Sequence, residues 1–229
     1  MANQVIKIDI VSDIVCPWCY IGKRRLEKAM SMLKDTYTFE IKYLPFELNG
    51  NVPKEGLNQK EYLTSKFGGE ERYTQITGNV TQAAKEEGLN FDFDKQPKSP
   101  NTLDIHRIIW LAEKEGKDLA AMEIYFKAYF DDGVDLTKNE NLVSLAERAG
   151  VNGGRVKELL EGEEGLAEVK ALQKKVRFMG ITGVPYYIIN EKYAISGAQP
   201  AEAFAEAIPN IAFESLQEGE ACDIDGSNC

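Results

Sequence analysis

Two cysteines spaced for disulfide chemistry are the most informative residues of this chain. They stand in the tetrapeptide Cys-Pro-Trp-Cys at positions 16–19, between a strand-like run at residues 5–11 and a helix-like run at residues 22–34. This arrangement predicts both sulfurs on the first turn of a helix, close enough to form a small disulfide ring. Unpaired N–H groups at a helix N-terminus stabilise a thiolate. We therefore predict a redox-active dithiol in which Cys16 attacks and Cys19 resolves.

The two residues between the cysteines are predicted to support the active site. Pro17 fits the first position of a helix, where no N–H donor is needed and the fixed φ suits the helix. Trp18 provides neither a cation nor a good donor towards the sulfur, so the dipeptide does not define the redox potential. Two other interpretations stay open here. An isolated CxxC can be half of a zinc site that needs a second ligand pair, or it can be a chance pairing.

The bulk composition is that of an ordinary globular protein with one large domain or two modest ones. The chain has 229 residues, of which 43% are hydrophobic and 28% are charged. Its formal net charge of −10 would repel phosphate backbones and anionic membranes, so neither nucleic acid nor membrane partners are expected. No apolar run is typical of a signal peptide or a membrane span, which favours a cytoplasmic protein. In a reducing compartment, a paired CxxC indicates catalysis or redox sensing rather than a structural disulfide.

The order of strand and helix patterns predicts an α/β protein with a thioredoxin-like fold and an inserted all-α helical domain. Alternating residues at 37–44 predict a second strand, which completes a β-α-β opening. Helical periodicity dominates from about residue 58 to residue 165. Two short strands at 185–189 and 193–196 then form a predicted hairpin before a last helix. The predicted units are a discontinuous thioredoxin-like domain at 1–52 and 165–214, a helical insertion domain at 53–164, and a flexible acidic tail with a cysteine pair at 215–229.

Local signals mark the ends of several helices. Thr137 and Glu140 are spaced as a capping box that would begin a helix, whereas Gly116 and Gly150 occupy positions typical of the glycine that follows one. On the first helix, the basic residues 23–25 are predicted to form a solvated face rather than to contact the thiolate.

A second position of chemical interest is Pro185, at the start of the first hairpin strand. A cis peptide bond there would turn the backbone beside the dithiol. It would also leave the carbonyl and N–H of Val184 free to pair with an extended substrate segment. An ordinary trans proline at a strand start is the other interpretation that the residues allow.

His106 is the one histidine in the sequence, which excludes any metal site built on two histidines. Its neighbours Ile105 and Ile109 place it on an apolar helical face, where a packed and hydrogen-bonded histidine is more typical than a catalytic one. Asp13, three residues before Cys16, is interpreted as a loop or capping residue, with proton relay as the alternative.

Three separate motifs, in the right order over most of the chain, carry a family resemblance. They are Val-Cys-Pro-Trp-Cys-Tyr-Ile-Gly at 15–22, Asn-Thr-Leu-Asp-Ile-His-Arg at 101–107, and Thr-Gly-Val-Pro at 182–185 followed by Tyr-Ala-Ile-Ser-Gly-Ala-Gln at 193–199. Together they resemble the DsbA-like thioredoxin-fold family and are most similar to its cytosolic FrnE-type branch.

The resemblance implies dithiol–disulfide oxidoreductase activity, with Cys16 as nucleophile and Cys19 as resolving thiol. It also implies that Val184 and Pro185 form a cis-proline pair facing the dithiol, and that His106 lines the cleft from the helical side. In the glutathione-dependent chromene-carboxylate isomerases that resemble this branch, a serine typically replaces the first cysteine. This chain keeps Cys16, which disfavours that activity. No organic cofactor is expected, and glutathione is considered as a co-substrate.

The remaining cysteines, Cys222 and Cys229, flank an acidic segment that contains glycine near the end of the chain. Three interpretations stay open. The two thiols form an auxiliary redox pair that exchanges with the first dithiol, they bind a metal with nearby carboxylates, or they are incidental. A similar tail pair occurs in the FrnE-type branch, which favours the auxiliary redox pair.

The predicted function is therefore thiol–disulfide exchange with protein or small-molecule disulfides and dithiols, without a metal. Two alternatives are kept. The first is a glutathione-dependent isomerase or transferase on the same fold, and the second is a zinc-binding interaction module that uses all four cysteines.

Overall fold

The computed structural model describes residues 4–220, with the surroundings of side chains described as far as residue 215. Helices surround a central sheet in this part of the chain. None of these helices is both long enough and apolar enough to cross a membrane. In chain order the elements are β1 (Gln4–Ser12), α1 (Pro17–Leu33), β2 (Tyr37–Pro45), β3 (Leu57–Asn58), α2 (Gln59–Phe67), α3 (Glu70–Glu86), a 3₁₀ turn (Phe93–Lys95), β4 (Lys98–Ser99), α4 (Leu103–Lys114), α5 (Asp118–Phe130), α6 (Asn139–Arg148), α7 (Gly153–Glu161), α8 (Leu166–Phe178), β5 (Tyr186–Ile189), β6 (Tyr193–Ser196) and α9 (Ala201–Glu220).

The central sheet has the strand order β2-β1-β5-β6. β1 and β2 run parallel, with Ser12 opposite Pro45, and α1 forms the crossover between them. β5 runs antiparallel to β1, with Tyr186 opposite Val11, and a hairpin leads from β5 into β6. β1 therefore ends where β5 begins, and the segments just outside these two strands meet at one end of the sheet. This is the predicted α/β arrangement.

Side-chain alternation along β1 divides the core into two layers. Ile6, Ile8 and Ile10 are buried in one cluster with residues of α1 and α9. Val11 belongs to a second cluster, which includes Val176 of α8. Helices thus cover both faces of the sheet, and the strand that leads into the dithiol is held from both sides.

Tyr20 of α1 anchors the predicted helical insertion to the sheet domain. Its ring stacks on Phe126 at a centroid distance of 4.9 Å and on Phe91 at 5.8 Å. Phe91 stacks in turn on Phe130 at 4.6 Å. Aromatic pairs of this kind add about 0.5–1.5 kcal/mol each beyond their burial. The first helix is therefore part of the core of both regions, although the predicted boundaries at 52/53 and 164/165 fall in loops between elements.

The basic face of α1 is an interface rather than a solvated face, so that prediction is wrong. The Glu123 carboxylate of α5 lies 2.7 Å from the Lys23 ammonium and also pairs with Arg24. Glu87, which follows α3, pairs with the Arg25 guanidinium at 2.8 Å. Two acidic side chains of the insertion therefore hold the helix that carries the dithiol.

One local prediction fails because a neighbouring group competes for the side chain on which it depends. The Thr137 hydroxyl and amide both donate to the Asp135 carboxylate, so the capping box does not form, and α6 begins at Asn139 without a side-chain cap. The small β3–β4 ladder was not predicted. α9 continues to Glu220, past the predicted start of the tail at 215.

The two glycines predicted to follow helices are confirmed in that position. Gly116 and Gly150 follow α4 and α6 with φ values of 66° and 83°, the left-handed conformation that glycine adopts without steric cost. Each glycine thereby ends its helix and lets the chain reverse direction.

Replacing Gly22 with alanine is expected to destabilise the protein by about 1–3 kcal/mol, because it overpacks the core. A Cβ at this position of α1 would lie 2.2 Å from the Tyr187 hydroxyl oxygen and 3.3 Å from Cγ of Pro185. Tyr187 is fully buried against Phe204, with ring centroids 4.8 Å apart, so its ring cannot swing away. Urea denaturation measures the loss.

Two further variants make the Gly22 experiment specific. The Tyr187 hydroxyl is buried without a hydrogen-bond partner in the described part of the chain, so Tyr187→Phe should cost little and should restore much of the stability lost in Gly22→Ala. A Cβ added to Gly78 of α3 would meet no atom within 4 Å, and Gly78→Ala should be neutral or stabilising. Equal losses in the two glycine variants would contradict the packing explanation.

Replacing Glu123 with glutamine is expected to flatten the acid limb of the stability curve. Burial acts to raise the pKa of Glu123, but hydrogen bonds from Arg24 and Lys23 outweigh it and lower the pKa to about 2. A carboxyl with a lowered folded pKa contributes stability above its unfolded pKa of about 4.3 and loses it as the pH falls through its folded value. Between about pH 5 and about pH 2, the free energy of unfolding of the unmodified protein should therefore fall more steeply than that of the Glu123→Gln variant.

The matched control for this pH experiment is Glu40→Gln, which changes an exposed carboxylate of β2. Its curve should run parallel to that of the unmodified protein, whereas the Glu123→Gln curve should begin lower and converge with it near the acid end. Parallel curves for Glu123→Gln and the unmodified protein would contradict the role given to this ion pair.

Candidate active site

The dithiol lies where β1 passes into α1. A short turn after Ser12 is closed by a hydrogen bond from the Cys16 amide to the Asp13 carbonyl at 3.0 Å. Cys16 is the N-cap of α1, with φ −92° and ψ 109°, and Pro17 takes the first helical position. The Cys19 amide donates to the Cys16 carbonyl at 3.0 Å. Both cysteines thus sit on the first turn of the helix, in the arrangement that the spacing predicts.

Both sulfurs are free thiols, and both residues are 3% exposed. The Cys16 thiol donates to the Val184 carbonyl oxygen at 3.6 Å. The Val184–Pro185 peptide bond is cis, and Pro185 lies immediately before β5. The dithiol and the proline loop therefore face each other across the end of the sheet, as the register of β1 and β5 requires.

Cys19 lies on the inner side of the helix. Burial raises the pKa of its thiol well above the ordinary value, and a hydrogen bond with Cys16 acts in the same direction. The Ser12 hydroxyl and the Asp13 amide act against that rise. Cys19 therefore stays protonated in the reduced protein, which suits a thiol that acts second.

His106 is buried behind the turn that precedes the dithiol, where it lines a small internal cavity and not the surface beside Cys16 that α2 and α3 cover. Its Nε2 lies 3.0 Å from the Phe46 carbonyl oxygen and 3.3 Å from Oδ1 of Asp13. Because a carbonyl oxygen only accepts, Nε2 carries the proton. The other Asp13 oxygen accepts from the Leu48 amide at 2.7 Å. His106 and Asp13 thus join the helical insertion to the active-site turn, as the packed-histidine and loop interpretations expect.

Arg107, the next residue of the same motif, has a structural role as well. Its guanidinium is buried and donates to the carbonyl oxygens of Gly162 at 2.7 Å and Glu164 at 2.8 Å. The motif at 101–107 therefore fixes the loop that leads into α8.

A cleft of about 100 Å³ opens beside the dithiol on the side of α2 and α3. Its wall includes residues on both sides of Cys16 and apolar side chains of the insertion. Leu48 and Ile76, which line this cleft, are 39% and 38% exposed. Trp18, in the tetrapeptide of the dithiol, is 40% exposed. The residues that line the cleft include Val15, Pro17, Leu48, Lys66, Phe67 and Ile76.

Lys66 is the cation of this cleft, and sequence reasoning missed it. Burial lowers the pKa of Lys66, while the negative charges of Asp13 and Cys16 act in the opposite direction. Its ammonium donates to Asn49. A basic residue near the end of a short helix gives no signal by sequence alone, because its distance from the dithiol depends on how α2 packs.

The structure brings six of the predicted site residues together, namely Cys16, Pro17, Trp18, Cys19, Val184 and Pro185. Cys222 and Cys229 lie outside the described residues, so their predicted auxiliary role stays a prediction. Within residues 4–220, no group of three or more His, Cys, Asp and Glu side chains is arranged to hold a metal ion.

Comparison with protein families and curated proteins identifies relatives along nearly the whole chain. The model of the family described as DSBA-like thioredoxin domain matches residues 7–209, which include the sheet, the insertion and the dithiol. The uncharacterized protein YwbO of Bacillus subtilis (strain 168) is 26% identical over 211 residues, which are 90% of this chain and 96% of YwbO.

Solved structures also match this chain over most of its length. The probable DsbA oxidoreductase SCO1869 from Streptomyces coelicolor is 32% identical and superposes with a TM-score of 0.83, over 91% of this chain and 90% of that one. The cytosolic disulfide reductase DsbM from Pseudomonas aeruginosa is 13% identical, with a TM-score of 0.61 over 94% of this chain and 99% of DsbM. At that identity the second likeness concerns the fold alone.

The Cys19 thiol is expected to ionise at a higher pH in the folded protein than in the unfolded one, because burial is the largest cause of its raised pKa. The measurement is the ultraviolet absorbance of the thiolate in a Cys16→Ser, Cys222→Ser, Cys229→Ser variant, in which Cys19 is the single cysteine left. The same variant unfolded in urea is the control. Ionisation at the same pH in both states would contradict the buried position of Cys19.

Proposed function

The chain belongs to the family of DSBA-like thioredoxin domains and is a thiol–disulfide oxidoreductase of that family, and we propose that Cys16 is its nucleophile and Cys19 its resolving thiol. The predicted resemblance to the DsbA-like family is thereby confirmed, whereas membership of the FrnE-type branch stays a prediction. The observation that carries the proposal is the position of the Cys16 thiol at the N-terminus of α1, 3.6 Å from the Val184 carbonyl oxygen.

Cys16 lies at the N-terminus of α1, which is the positive end of the helix dipole. The first turn contains no acidic residue, so no carboxylate competes with a thiolate for the unpaired N–H groups of the helix. Lys66 adds a positive charge that interacts with Cys16 across the cleft. A thiolate is the nucleophile in disulfide exchange, and both features place positive charge near the Cys16 sulfur.

The proposed reaction has two exchange steps. The Cys16 thiolate attacks one sulfur of a substrate disulfide, a mixed disulfide forms, and the other substrate sulfur leaves as a thiolate that takes up a proton. The Cys19 thiol then loses its proton and attacks the Cys16 sulfur, so that the second substrate thiolate leaves and a Cys16–Cys19 disulfide forms. Two electrons pass from the enzyme dithiol to the substrate, and the reverse sequence oxidises a substrate dithiol.

Val184 is proposed to align the substrate. In the free protein its carbonyl oxygen accepts a hydrogen bond from the Cys16 thiol. Once Cys16 is bonded to a substrate sulfur it no longer donates, and the carbonyl becomes available to an N–H of an extended substrate segment. Backbone pairing of this kind binds many sequences, which suits an enzyme that acts on several disulfides.

The lining of the cleft beside Cys16 suits a substrate disulfide that carries an apolar group, in a protein or in a small molecule. Leu48 and Ile76 offer apolar surface to such a group, and Lys66 offers a cation to a nearby carboxylate. Glutathione carries carboxylates and a thiol, and we propose it as a co-substrate that regenerates the dithiol. A structure of DsbM contains GSH. No organic cofactor enters the proposed reaction, and a cytoplasmic location is part of the proposal.

The proposed roles predict different behaviour for the two single cysteine variants. In a Cys222→Ser, Cys229→Ser background, adding Cys19→Ser should allow a mixed disulfide with a peptide disulfide to accumulate, because the resolving thiol is missing. Adding Cys16→Ser instead should give no adduct on Cys19 at the same pH, because that thiol is buried and protonated. Mass spectrometry of acid-quenched samples measures both adducts.

The background protein with both Cys16 and Cys19 is the control, and it should turn over the peptide disulfide when glutathione is supplied. Both single variants should lose this turnover. An adduct that forms faster on Cys19 than on Cys16 would reverse the proposed roles. Glutathione-dependent turnover that survives Cys19→Ser would instead support an isomerase or transferase on the same fold.

A further inference from the structure

The turn at residues 196–199, which we call the β6 turn because it follows β6, belongs to the third of the sequence motifs and has no part in the reaction described above. The Gln199 amide donates to the Gly197 carbonyl oxygen at 2.9 Å, and the Gln199 side chain donates to the Ser196 carbonyl oxygen at 2.8 Å. Gly197 has a φ of 79°, in the left-handed region that favours glycine. These bonds make the β6 turn a compact unit.

The β6 turn is bonded to the proline loop. The Gly197 amide donates to the Pro185 carbonyl oxygen at 2.9 Å. Both segments also pack on the same place of α1, since a Cβ added to Gly22 would lie 3.2 Å from Cβ of Ala198 and 3.3 Å from Cγ of Pro185. Because Val184 directly precedes Pro185, a shift of the β6 turn would move the Val184 carbonyl oxygen relative to the dithiol.

Arg25 of α1 holds the β6 turn in place. Its Nη1 donates to the Ala198 carbonyl oxygen at 2.7 Å, and its Nε donates to the Glu87 carboxylate at 2.8 Å. The side chains of Arg25 and Glu87 are 17% and 9% exposed, so both bonds lie largely out of water, where hydrogen bonds of charged groups are strong. A planar guanidinium keeps its donors at fixed angles. Arg25 therefore fixes the position of Ala198 relative to Glu87.

These bonds connect the helical insertion to the proline loop. The connection begins at Glu87, directly after α3, and passes through Arg25 and the β6 turn to Pro185. α3 also forms a wall of the cleft beside the dithiol, to which Ile76 contributes. The cleft wall and the loop proposed to pair with the substrate backbone are thus linked through the Arg25 side chain.

We propose that Arg25 is a positioning residue that keeps the Val184 carbonyl oxygen where an extended substrate segment can pair with it. This inference rests on the proposed function. Arg25 acts through the β6 turn and not on the sulfurs. Loss of its guanidinium would release the β6 turn and weaken backbone pairing at Val184, while the exchange chemistry of the dithiol would continue. Arg25 thereby favours peptide disulfides over small disulfides that have no peptide backbone.

The test measures the first exchange step with two kinds of disulfide. In a Cys19→Ser, Cys222→Ser, Cys229→Ser background the mixed disulfide does not resolve, so mass spectrometry of acid-quenched samples gives its rate of formation. The substrates are a peptide dimer joined by one disulfide and bis(2-hydroxyethyl) disulfide, which has no N–H group. Arg25→Met keeps an apolar stem without donors. It should slow the reaction with the peptide by about tenfold or more, because small misplacements at a reacting site are costly, and should leave the reaction with the small disulfide nearly unchanged.

Lys28→Met is the matched control. Lys28 also lies on α1 and also pairs with Glu87, and its side chain is 54% exposed. Both variants thus remove one ion pair of Glu87, but only Arg25→Met removes the donor to Ala198. Lys28→Met should change neither rate. Arg25→Lys keeps a cation beside Glu87 without the planar fork of donors, so it should show the same selective loss with the peptide. It decides the question should Arg25→Met not fold.

Amide hydrogen exchange, followed by NMR, tests the link itself. The Gly197 N–H is bonded to the Pro185 carbonyl oxygen, so it should exchange faster with solvent in Arg25→Met than in the background protein. Lys28→Met should leave this exchange rate unchanged. The measurement needs no substrate, and it separates release of the β6 turn from any effect on the sulfurs.

Three results would overturn the inference. The first is an unchanged rate with the peptide disulfide in the Arg25 variants, the second is equal slowing with both disulfides, and the third is unchanged exchange of the Gly197 amide in Arg25→Met. Failure of the proposed function looks different, because the background protein would then form no mixed disulfide with either substrate. A mixed disulfide that forms without the selective loss rejects the role of Arg25 alone.

Discussion

The register between β1 and β5 is the constraint on which the active site depends. Val11 lies opposite Tyr186, so the chain that leaves β1 and the chain that enters β5 meet at the same end of the sheet. Cys16 and Val184 are 168 positions apart in sequence, yet the thiol reaches the carbonyl oxygen at 3.6 Å. A slip of one residue would turn every side chain of β5 to the other face of the sheet. The core that buries Ile10 and Tyr187 therefore also positions the reacting groups.

The helical insertion determines the surroundings of the dithiol as much as the sheet does. Tyr20 lies in the aromatic core of the insertion, and Glu123 and Glu87 hold the basic side of α1. His106 lies behind the turn before Cys16 and joins that turn to the loop after β2. The helix that carries the sulfurs is thus held on the sheet side by packing, and on the insertion side by aromatic packing and by ion pairs. Such a helix has little freedom to move when a substrate binds.

The features that could be predicted are those that short stretches of sequence determine by themselves. The CxxC spacing and the alternation in β1 are local patterns, and they indicated the elements that carry the site. Contacts between distant segments leave no such pattern. Glu123 lies 100 positions from Lys23, and each side chain alone is typical of a solvated face. The Thr137 capping box failed for a local reason, since Asp135 competes for the same hydroxyl.

Cys16 and Cys19 are equally buried, since each is 3% exposed. Their different proposed roles therefore arise from what each sulfur faces. Val15 and Pro17, on either side of Cys16, line the outer cleft, so a substrate that enters the cleft meets this sulfur first. Cys19 faces the core, where burial raises the pKa of its thiol well above the ordinary value. A substrate therefore reaches Cys19 only after the Cys16 sulfur has reacted, which keeps the buried thiol for the resolving step.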